Sequence, residues 1–112
     1  MSDSGIGPAR MLADWLREAR CAVAFTGAGI STESGIADFR SPGGVWSRHQ
    51  PVMYQDFLAD PSERRRYWEI RKESIPSMLA AMPNEGHLAL ATLEDSGHLA
   101  AVVTQNIDEL HQ

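Results

Sequence analysis

The sequence predicts an α/β domain built on a parallel β-sheet with flanking helices. Two short apolar runs, CAVAFT at 21–26 and LAAVVT at 99–104, have the composition of strands that are buried on both faces. Segments with helical spacing precede and separate these runs, and a glycine-rich loop follows the first one. Parallel sheets normally contain more than two strands, so we expect the chain to form the N-terminal part of a larger domain.

Three helices are predicted from apolar spacing and from residues that start or stop helices. The first covers about 8–20, where apolar residues recur on one face. The second covers about 61–82, and Pro76 is expected to break or kink it. The third begins after the candidate cap Asn84 and stops at Gly97. Its predicted inward-facing residues are His87, Leu88, Leu90, Ala91 and Leu93.

The net charge of the 112-residue chain is −5, which is the wrong sign for attraction to nucleic acid or to anionic lipid. We therefore expect no nucleic-acid partner and no membrane partner. The basic run at 64–66 lies between Glu63 and Glu69 and is interpreted as a solvated helix face, with a partner contact as the alternative. No stretch approaches the roughly 20 apolar residues that a membrane span requires.

Cysteine content and the N-terminal segment bear on the cellular compartment. Cys21 is the single cysteine, so the chain has no disulfide framework. Because it stands in an apolar run, we predict a buried small side chain, with a reactive thiol as the alternative. The segment 1–10 lacks the basic and apolar regions of a secretory signal, and the cytoplasm is the expected location.

The segment from 27 to about 51 is a candidate functional loop, rich in Gly, Ser and Pro, with one short helix near 32–35. Gly27 and Gly29 directly follow the first predicted strand. Glycines in that position allow the backbone to turn sharply and to approach a pyrophosphate closely. The common dinucleotide fingerprint has a third glycine where Thr32 stands, so a tight turn without a ligand remains an alternative.

Asp38, Phe39 and Arg40 place a carboxylate, an aromatic ring and a guanidinium next to one another in this loop. The guanidinium suits phosphate or carboxylate, and the ring suits the shielding of a reacting centre from water. The alternative is a local ion pair around a buried Phe39. Aromatic residues argue against a disordered loop, and Trp46 is the second of them.

Polar residues also follow the second predicted strand. Ligands of open α/β sheets bind beyond the carboxyl ends of the strands, which here lie at 26–27 and 104–105. We therefore expect Gln105, Asn106 and Asp108 to converge on the crevice that the glycine loop faces. Their amide and carboxylate groups suit a ribose or a carboxamide. Capping of a following helix by Asn106 or Asp108 is the alternative.

Three segments, GAGISTESGIADFR, PNEGH and TQNIDELH, stand in an order and at distances that resemble the N-terminal half of the sirtuin family. Sirtuins are NAD-dependent protein-lysine deacylases, which release nicotinamide and O-acyl-ADP-ribose. The resemblance implies that residues 1–112 are the N-terminal part of an NAD-binding catalytic domain. It implies a Rossmann-like parallel sheet with flanking helices, incomplete in this chain and without the zinc module. Zinc is expected in the full-length protein alone.

The resemblance also implies which residues bind NAD. The glycine turn lies against the pyrophosphate and the adjoining ribose, and Phe39 covers the nicotinamide ribose. Asn106 and its neighbour Gln105 approach the same ribose. Asp108 and its neighbour Ile107 hold the carboxamide. The full predicted set is Gly27, Ala28, Gly29, Ser31, Thr32, Glu33, Asp38, Phe39, Arg40, Trp46, Gln105, Asn106, Ile107 and Asp108.

In the family reaction the acyl-lysine oxygen attacks C1′ of the ribose, and a histidine then acts as general base. The resemblance places that histidine beyond Gln112, so we name no catalytic residue within this chain. His111 matches a structural histidine of the family, and His87 matches a packing or hydrogen-bonding one. His49 and His98 match neither.

The substrates that the resemblance implies are acyl-lysine proteins. Two residues are weak candidates for contacting the acyl group, Trp68 and Arg71. Sirtuins that prefer acidic acyl groups often carry a Tyr-x-x-Arg pair, but Tyr67 stands one place early for it. We therefore expect acetyl or another neutral acyl group.

Two other functions remain to be weighed against the deacylase. One is a catalytically incomplete module that binds NAD or ADP-ribose. The other is an unrelated α/β nucleotide-binding protein that shares a glycine turn, which the three matching segments disfavour. For these 112 residues alone we predict no measurable deacylation, because the resemblance places the general base outside them.

Overall fold

The computed structural model describes residues 6–112, in which one helix precedes the first strand and several helices separate the two strands, as predicted. In chain order the elements are α1 (Ile6–Glu18), β1 (Val23–Thr26), a 3-10 helix (Ala28–Ser34), α2 (Val45–Arg48), α3 (Tyr54–Ala59), α4 (Pro61–Ala80), α5 (Glu85–Asp95) and β2 (Ala101–Thr104). The predicted α/β class is confirmed. The short helices α2 and α3 are additional to the prediction.

The two strands pair in parallel, with Val23 opposite Ala101 and Thr26 opposite Thr104. Each strand has four residues, two fewer than the apolar run that predicts it. A parallel pair needs a long crossover, and here 27–100 supplies it. This register brings the carboxyl ends of both strands to the same edge, which is where a ligand site is expected.

The prediction that both strands are buried on both faces is wrong for the part of the chain that the structure describes. Phe25 is 72% exposed and Val103 is 49% exposed, whereas their neighbours in sequence are half-buried. The reason is that α4 packs mainly against α3, so one face of the sheet has no helix on it within 6–112. Cys21, predicted to be buried, precedes β1 and is also exposed.

Helix α4 runs through Pro76 without a break, so the predicted interruption is not found. A proline removes one backbone donor, and the turns on both sides keep theirs, so the loss does not end the helix. Asp60 starts the helix by accepting from Ser62 N at 2.8 Å, and Pro61 occupies the first turn, where a proline is well tolerated.

Helix α5 begins and ends where the sequence predicts. Asn84 is the N-cap and forms a capping box with His87, and Gly97 follows the helix with a φ of 83°. The predicted inward-facing set is only partly confirmed, because His87 is buried whereas Leu88 is 58% exposed. Part of the predicted apolar face of α5 is therefore exposed among the described residues.

The basic run at 64–66 divides between solvent and local contacts. Arg65 is exposed, as a solvated face predicts. Arg64 donates to the carbonyl of Phe57 at 2.9 Å, and Arg66 pairs with Glu63 at 2.7 Å. Arg64 therefore helps to hold α3 and the start of α4 together, whereas the Arg66 pair lies within α4.

Candidate functional site

The candidate site begins where the parallel strands end side by side. Thr26 Oγ1 donates to Thr104 Oγ1 at 2.8 Å, and the N–H of Gln105 donates to the Thr26 carbonyl at 3.2 Å. The loops that leave β1 and β2 therefore start next to each other. This confirms the expected convergence of the glycine loop with the segment 105–108.

Two contacts tie these loops together. Asn106 Nδ2 donates to the Gly27 carbonyl at 2.8 Å. A Cβ on Gly27 would come within 2.5 Å of Gln105 Nε2, so the Gln105 side chain occupies the space that glycine leaves free. By contrast, the position of a Cβ on Gly29 has no other atom within 4 Å. A ligand can therefore approach the backbone closely at Gly29, whereas Gly27 provides the space in which the two loops contact each other.

A cavity of about 350 Å³ lies between these loops and α4. Its apolar wall includes Phe39 and Trp46, whose ring centroids are 5.3 Å apart. Polar groups of Asn106 and Asp108 stand at one side. The lining residues from the predicted set are Ala28, Ser31, Phe39, Trp46, Gln105, Asn106, Ile107 and Asp108. An apolar cavity with a few convergent polar groups is typical of a cofactor site.

A second, more open cavity of about 590 Å³ shares Phe39 and Trp46 with the first as lining residues. Its lining residues are Ala28, Gly29, Asp38, Phe39, Arg40, Trp46, Gln105 and Asn106. Phe39 and Trp46 line both cavities, so the two spaces adjoin each other at the strand ends. Both spaces are therefore within reach of the loops that leave β1 and β2.

The predicted trio at 38–40 is arranged as a closed loop rather than as an ion pair. The Asp38 carboxylate accepts from Ser41 N at 3.2 Å, and the Asp38 carbonyl accepts from Val45 N at 2.7 Å. Gly44 is buried against this turn. Phe39 is 43% exposed, so the alternative of a local ion pair around a buried Phe39 is wrong.

The Arg40 side chain is exposed. It forms no salt bridge with any residue of the described range 6–112. Because it lines the more open cavity, its guanidinium is available to an anionic ligand.

Behind the polar side of the smaller cavity lies a buried hydrogen-bonded group. Ser31 is 1% exposed, and its hydroxyl donates to Asp108 Oδ2 at 2.6 Å. The N–H of Leu110 donates to the other carboxylate oxygen at 3.0 Å. Asp108 thus caps its own turn and not a helix, since the described residues after β2 contain no further helix.

Two histidines lie beside this group. His111 Nε2 is 2.8 Å from Thr26 Oγ1, and its ring centroid is 4.9 Å from that of His87. Burial lowers the pKa of His87, and the neighbouring His111 lowers it further. His87 is therefore neutral at pH 7. The contacts of both histidines are made within the protein, in agreement with the structural roles expected from the resemblance.

Some predicted residues lie outside the two cavities. Thr32 Oγ1 donates to the Gly29 carbonyl at 3.0 Å and lines a shallow depression beside the loop 41–44. Glu33 is exposed and lines neither cavity. Trp68 is 61% exposed and also lies outside both, whereas Arg71 lines the smaller one.

The sequence interpretation missed a wall of the cavity that α4 supplies. The residues concerned are Tyr67, Ile70, Ser74 and Met78, together with the predicted Arg71. Arg71 Nε donates to the Tyr67 hydroxyl at 3.1 Å. Their spacing of three or four residues is that of one helix face and was the signal available in the sequence.

Comparison with known protein families shows to which family the chain is related. A model of the Sir2 family matches residues 27–112, which contain both loops of the site and the segments between them. The chain belongs to the Sir2 family. The predicted sirtuin resemblance is confirmed.

Curated relatives of this Sir2 chain are named for an NAD-dependent activity. An NAD-dependent protein deacetylase of Thermodesulfovibrio yellowstonii is 53% identical over 97 residues, which cover 87% of this chain and 38% of the relative. An NAD-dependent protein deacylase of Aeropyrum pernix is 52% identical over 100 residues, covering 87% of this chain and 40% of the relative. The chain thus spans about 40% of the length of these relatives.

Solved Sir2 structures share the fold. A Sir2 variant with a deacetylated p53 peptide and 3′-O-acetyl-ADP-ribose has a TM-score of 0.81 at 46% identity, covering 92% of this chain and 42% of that one. A Sir2 complex with a p53 peptide and NAD⁺ has a TM-score of 0.73 at 45% identity, covering 91% and 40%. The partial Rossmann-like sheet expected from the resemblance agrees with these neighbours.

Two kinds of feature are absent from the described range 6–112. No group of three or more His, Cys, Asp or Glu side chains in that range is placed to hold a metal ion. No helix in it is long and apolar enough to cross a bilayer.

Proposed function

We propose that this chain supplies the NAD-binding half of an NAD-dependent protein-lysine deacylase site. The observation that carries the proposal is the meeting of the glycine turn after β1 with the segment 105–108 after β2 at two adjoining cavities. The names of the relatives support it, since each of the two described above is an NAD-dependent protein deacetylase or deacylase.

The donor set of the cavity fits NAD. The open side of Gly29 and the free guanidinium of Arg40 line the more open cavity and suit the pyrophosphate. The amides of Gln105 and Asn106 suit ribose hydroxyls. Asp108 suits the amide N–H donors of the carboxamide, because an ionised carboxylate only accepts. NAD supplies the ribose carbon that accepts the acyl oxygen, with nicotinamide as the leaving group.

The aromatic pair of the loop has a protective role in this proposal. Phe39 and Trp46 line both cavities and meet at a centroid distance of 5.3 Å. Placed at the junction, their rings cover the region of the nicotinamide ribose and exclude water from it. Hydrolysis in place of acyl transfer is thereby disfavoured.

The other members of the predicted set support the loop in this proposal. Ala28, Ser31 and Ile107 form the walls. Asp38 closes the loop through Ser41. Thr32 stabilises the glycine turn, and no contact in the structure assigns a role to Glu33.

Acyl-lysine proteins are the proposed substrates, and the acyl group is proposed to be neutral. Tyr67 holds Arg71 at the cavity wall through its hydroxyl, and the guanidinium lies 5.6 Å from the centre of the Tyr67 ring. A guanidinium engaged in this way is less free to bind an acidic acyl group. Trp68 takes no part in the wall and is not retained as a substrate contact. The cytoplasm stays the location expected from the sequence.

The catalytically incomplete NAD-binding or ADP-ribose-binding module is the second candidate. In the resemblance none of the four histidines of the chain matches the general base. We therefore propose that these residues bind and orient the cofactor, and that proton abstraction depends on a residue outside them.

A chimera tests the proposal. Residues 27–112 replace the matching segment of the Thermodesulfovibrio yellowstonii deacetylase, and turnover of an acetyl-lysine peptide with NAD is measured by nicotinamide release. We expect the chimera to be active and Asp108→Ala within it to lose at least tenfold in kcat/KM. The 112-residue chain alone is expected to release no nicotinamide.

Two results contradict the proposal. One is a folded chimera that binds the peptide without any turnover, and the other is full activity after Asp108→Ala. For the acyl group, turnover of an acetyl-lysine peptide is compared with turnover of a succinyl-lysine peptide, in the unsubstituted chimera and in its Arg71→Met variant. Equal use of the two peptides by the unsubstituted chimera contradicts the neutral preference.

A further inference from the structure

A line of hydrogen bonds runs from the start of α5 to the polar side of the smaller cavity. The N–H of Asn84 donates to His87 Nδ1 at 3.1 Å. A backbone N–H can only donate, so Nδ1 carries no proton. In the neutral ring the proton is then on Nε2, which faces Ser31 Oγ at the long distance of 3.4 Å. The cap of α5 thus selects the tautomer of His87.

This tautomer sets the direction of the bonds that follow. Nε2–H donates to the Ser31 hydroxyl, which leaves the hydroxyl proton for Asp108 Oδ2 at 2.6 Å. The N–H of Leu110 holds Oδ1 at 3.0 Å. Because Ser31 and His87 are 1% and 4% exposed, water does not compete for these bonds. The two donors fix both oxygens and therefore the plane of the carboxylate at the cavity wall.

We propose that His87 is a positioning residue that acts through Ser31 to hold the Asp108 carboxylate in the orientation that a carboxamide-bearing ligand requires. This inference rests on the proposed function, because the ligand is the nicotinamide end of NAD. The charged or titratable groups that face His87 are Asp108 and His111. Burial keeps the pKa of His87 low, in agreement with a neutral ring.

The test compares NAD and ADP-ribose as ligands of the 112-residue chain. NAD carries the nicotinamide with its carboxamide, and ADP-ribose lacks the whole nicotinamide group while keeping the adenosine, the pyrophosphate and the second ribose. His87→Leu removes both bonds of the ring, and Ser31→Ala removes the link to Asp108. We expect either variant to weaken NAD binding about 3- to 10-fold, the loss of about one hydrogen bond, while ADP-ribose binding stays within twofold.

A conservative variant and a control make the test specific. The Oε1 and Nε2 atoms of a glutamine can replace the acceptor and the donor of the ring, so His87→Gln is expected to restore NAD affinity. His98→Leu changes an exposed histidine at the far end of α5, bonded to Ser96, and is expected to change nothing. In an Asp108→Ala background, adding His87→Leu is expected to cause no further loss of NAD affinity.

The outcomes separate the two proposals. Equal loss of NAD and ADP-ribose affinity in His87→Leu, or an additional loss in the Asp108→Ala background, overturns the positioning role and leaves the proposed function standing. An unsubstituted chain that binds neither NAD nor ADP-ribose overturns both proposals. Binding of ADP-ribose serves at the same time as the check that each variant is folded.

Discussion

Single residues hold the loops at the strand ends through bonds between side chains and backbone. Asn106 reaches back to Gly27, and Asp38 closes the 38–45 turn through Ser41 and Val45. Amide and carboxylate side chains commonly stabilise turns in this way. These bonds place Phe39 and Trp46 over the cavity, so the precision of the site depends on contacts within the loops as well as on groups that face a ligand.

Gly44→Ala is predicted to open the 38–45 loop. A Cβ at this position would lie 2.6 Å from the Asp38 carbonyl and 2.9 Å from the Ser41 carbonyl, which are backbone atoms that cannot rotate away. We expect limited trypsin digestion to cleave after Arg40 several times faster than in the unsubstituted chain. Gly29→Ala, where a Cβ meets nothing within 4 Å, is the control. Equal cleavage rates for Gly44→Ala and the control would show that the loop is not held by this packing.

Acidification is predicted to loosen the start of α5. The folded-state pKa of His87 is lowered by burial and by His111, so the folded state binds this proton less readily than the unfolded state. The stabilisation is complete above the unfolded value of 6.5 and is lost as the pH falls below it. Protonation of Nδ1 also removes the acceptor of the Asn84 N–H.

The measurement for this prediction is amide hydrogen exchange of Asn84 and the first turn of α5 at pH 7.5 and pH 5.5. After correction for intrinsic exchange rates, protection is expected to fall at the lower pH in the unsubstituted chain and to stay constant in His87→Gln. Unchanged protection in the unsubstituted chain would mean that the ring does not titrate in this window.

At the scale of elements, the parallel pair of strands and the capped helix α5 form the frame of the site. Asn84 caps α5 through Oδ1, which accepts from Gly86 N at 2.8 Å. Its Nδ2 donates to the Ile30 carbonyl at 2.7 Å and so joins α5 to the 3-10 helix. One residue therefore connects the helix to the glycine turn.

Asn84→Ala is predicted to cost about 1–2 kcal/mol in the local stability of α5, at the upper end for a cap because the bond to Ile30 is lost with it. Amide exchange of the helix 85–95 measures the effect. Ser96→Ala, at the exposed end of the same helix, is the matched control and is expected to change little. A loss in Asn84→Ala no larger than in the control would contradict the assigned cap.

The sequence predicted elements better than it predicted burial. Asn84 and Gly97 carry local signals, a cap side chain and a glycine at positive φ, so the limits of α5 were recoverable. Burial depends on what packs against an element. Phe25 and Cys21 therefore look buried in sequence and are exposed in the structure. The α4 residues that line the cavity were not predicted for the same reason. Periodicity identifies one face of a helix, but it does not identify what packs against that face.

At the scale of the whole molecule, the described chain is extended and its apolar surface is open. The radius of gyration is 17.7 Å, against about 13 Å for a compact domain of this length. Leu99 and Leu110 are the buried apolar residues among those described. Phe25, Val103 and the α1 residue Trp15 are all at least 49% exposed.

The 112-residue chain is predicted to bind a hydrophobic dye strongly under native conditions. Exposed apolar faces of this kind enhance the fluorescence of anilinonaphthalene sulfonate. We expect enhancement at pH 7.5 well above that of the Thermodesulfovibrio yellowstonii relative at equal concentration. Enhancement equal to that of the relative would show that the chain covers its sheet face, by association or by rearrangement.

The central claim is that the carboxyl ends of the two strands form one NAD site, and mapping NAD onto the isotopically labelled chain by nuclear magnetic resonance tests it most directly. The predicted amide shifts lie in 27–29, 39–46 and 105–108, with the residues of α1 unchanged. ADP-ribose is expected to reproduce the shifts at 27–29 and at 105–106 and to lose those at 107–108. Shifts that are absent at both strand ends, or that concentrate on the exposed sheet face, would contradict the claim.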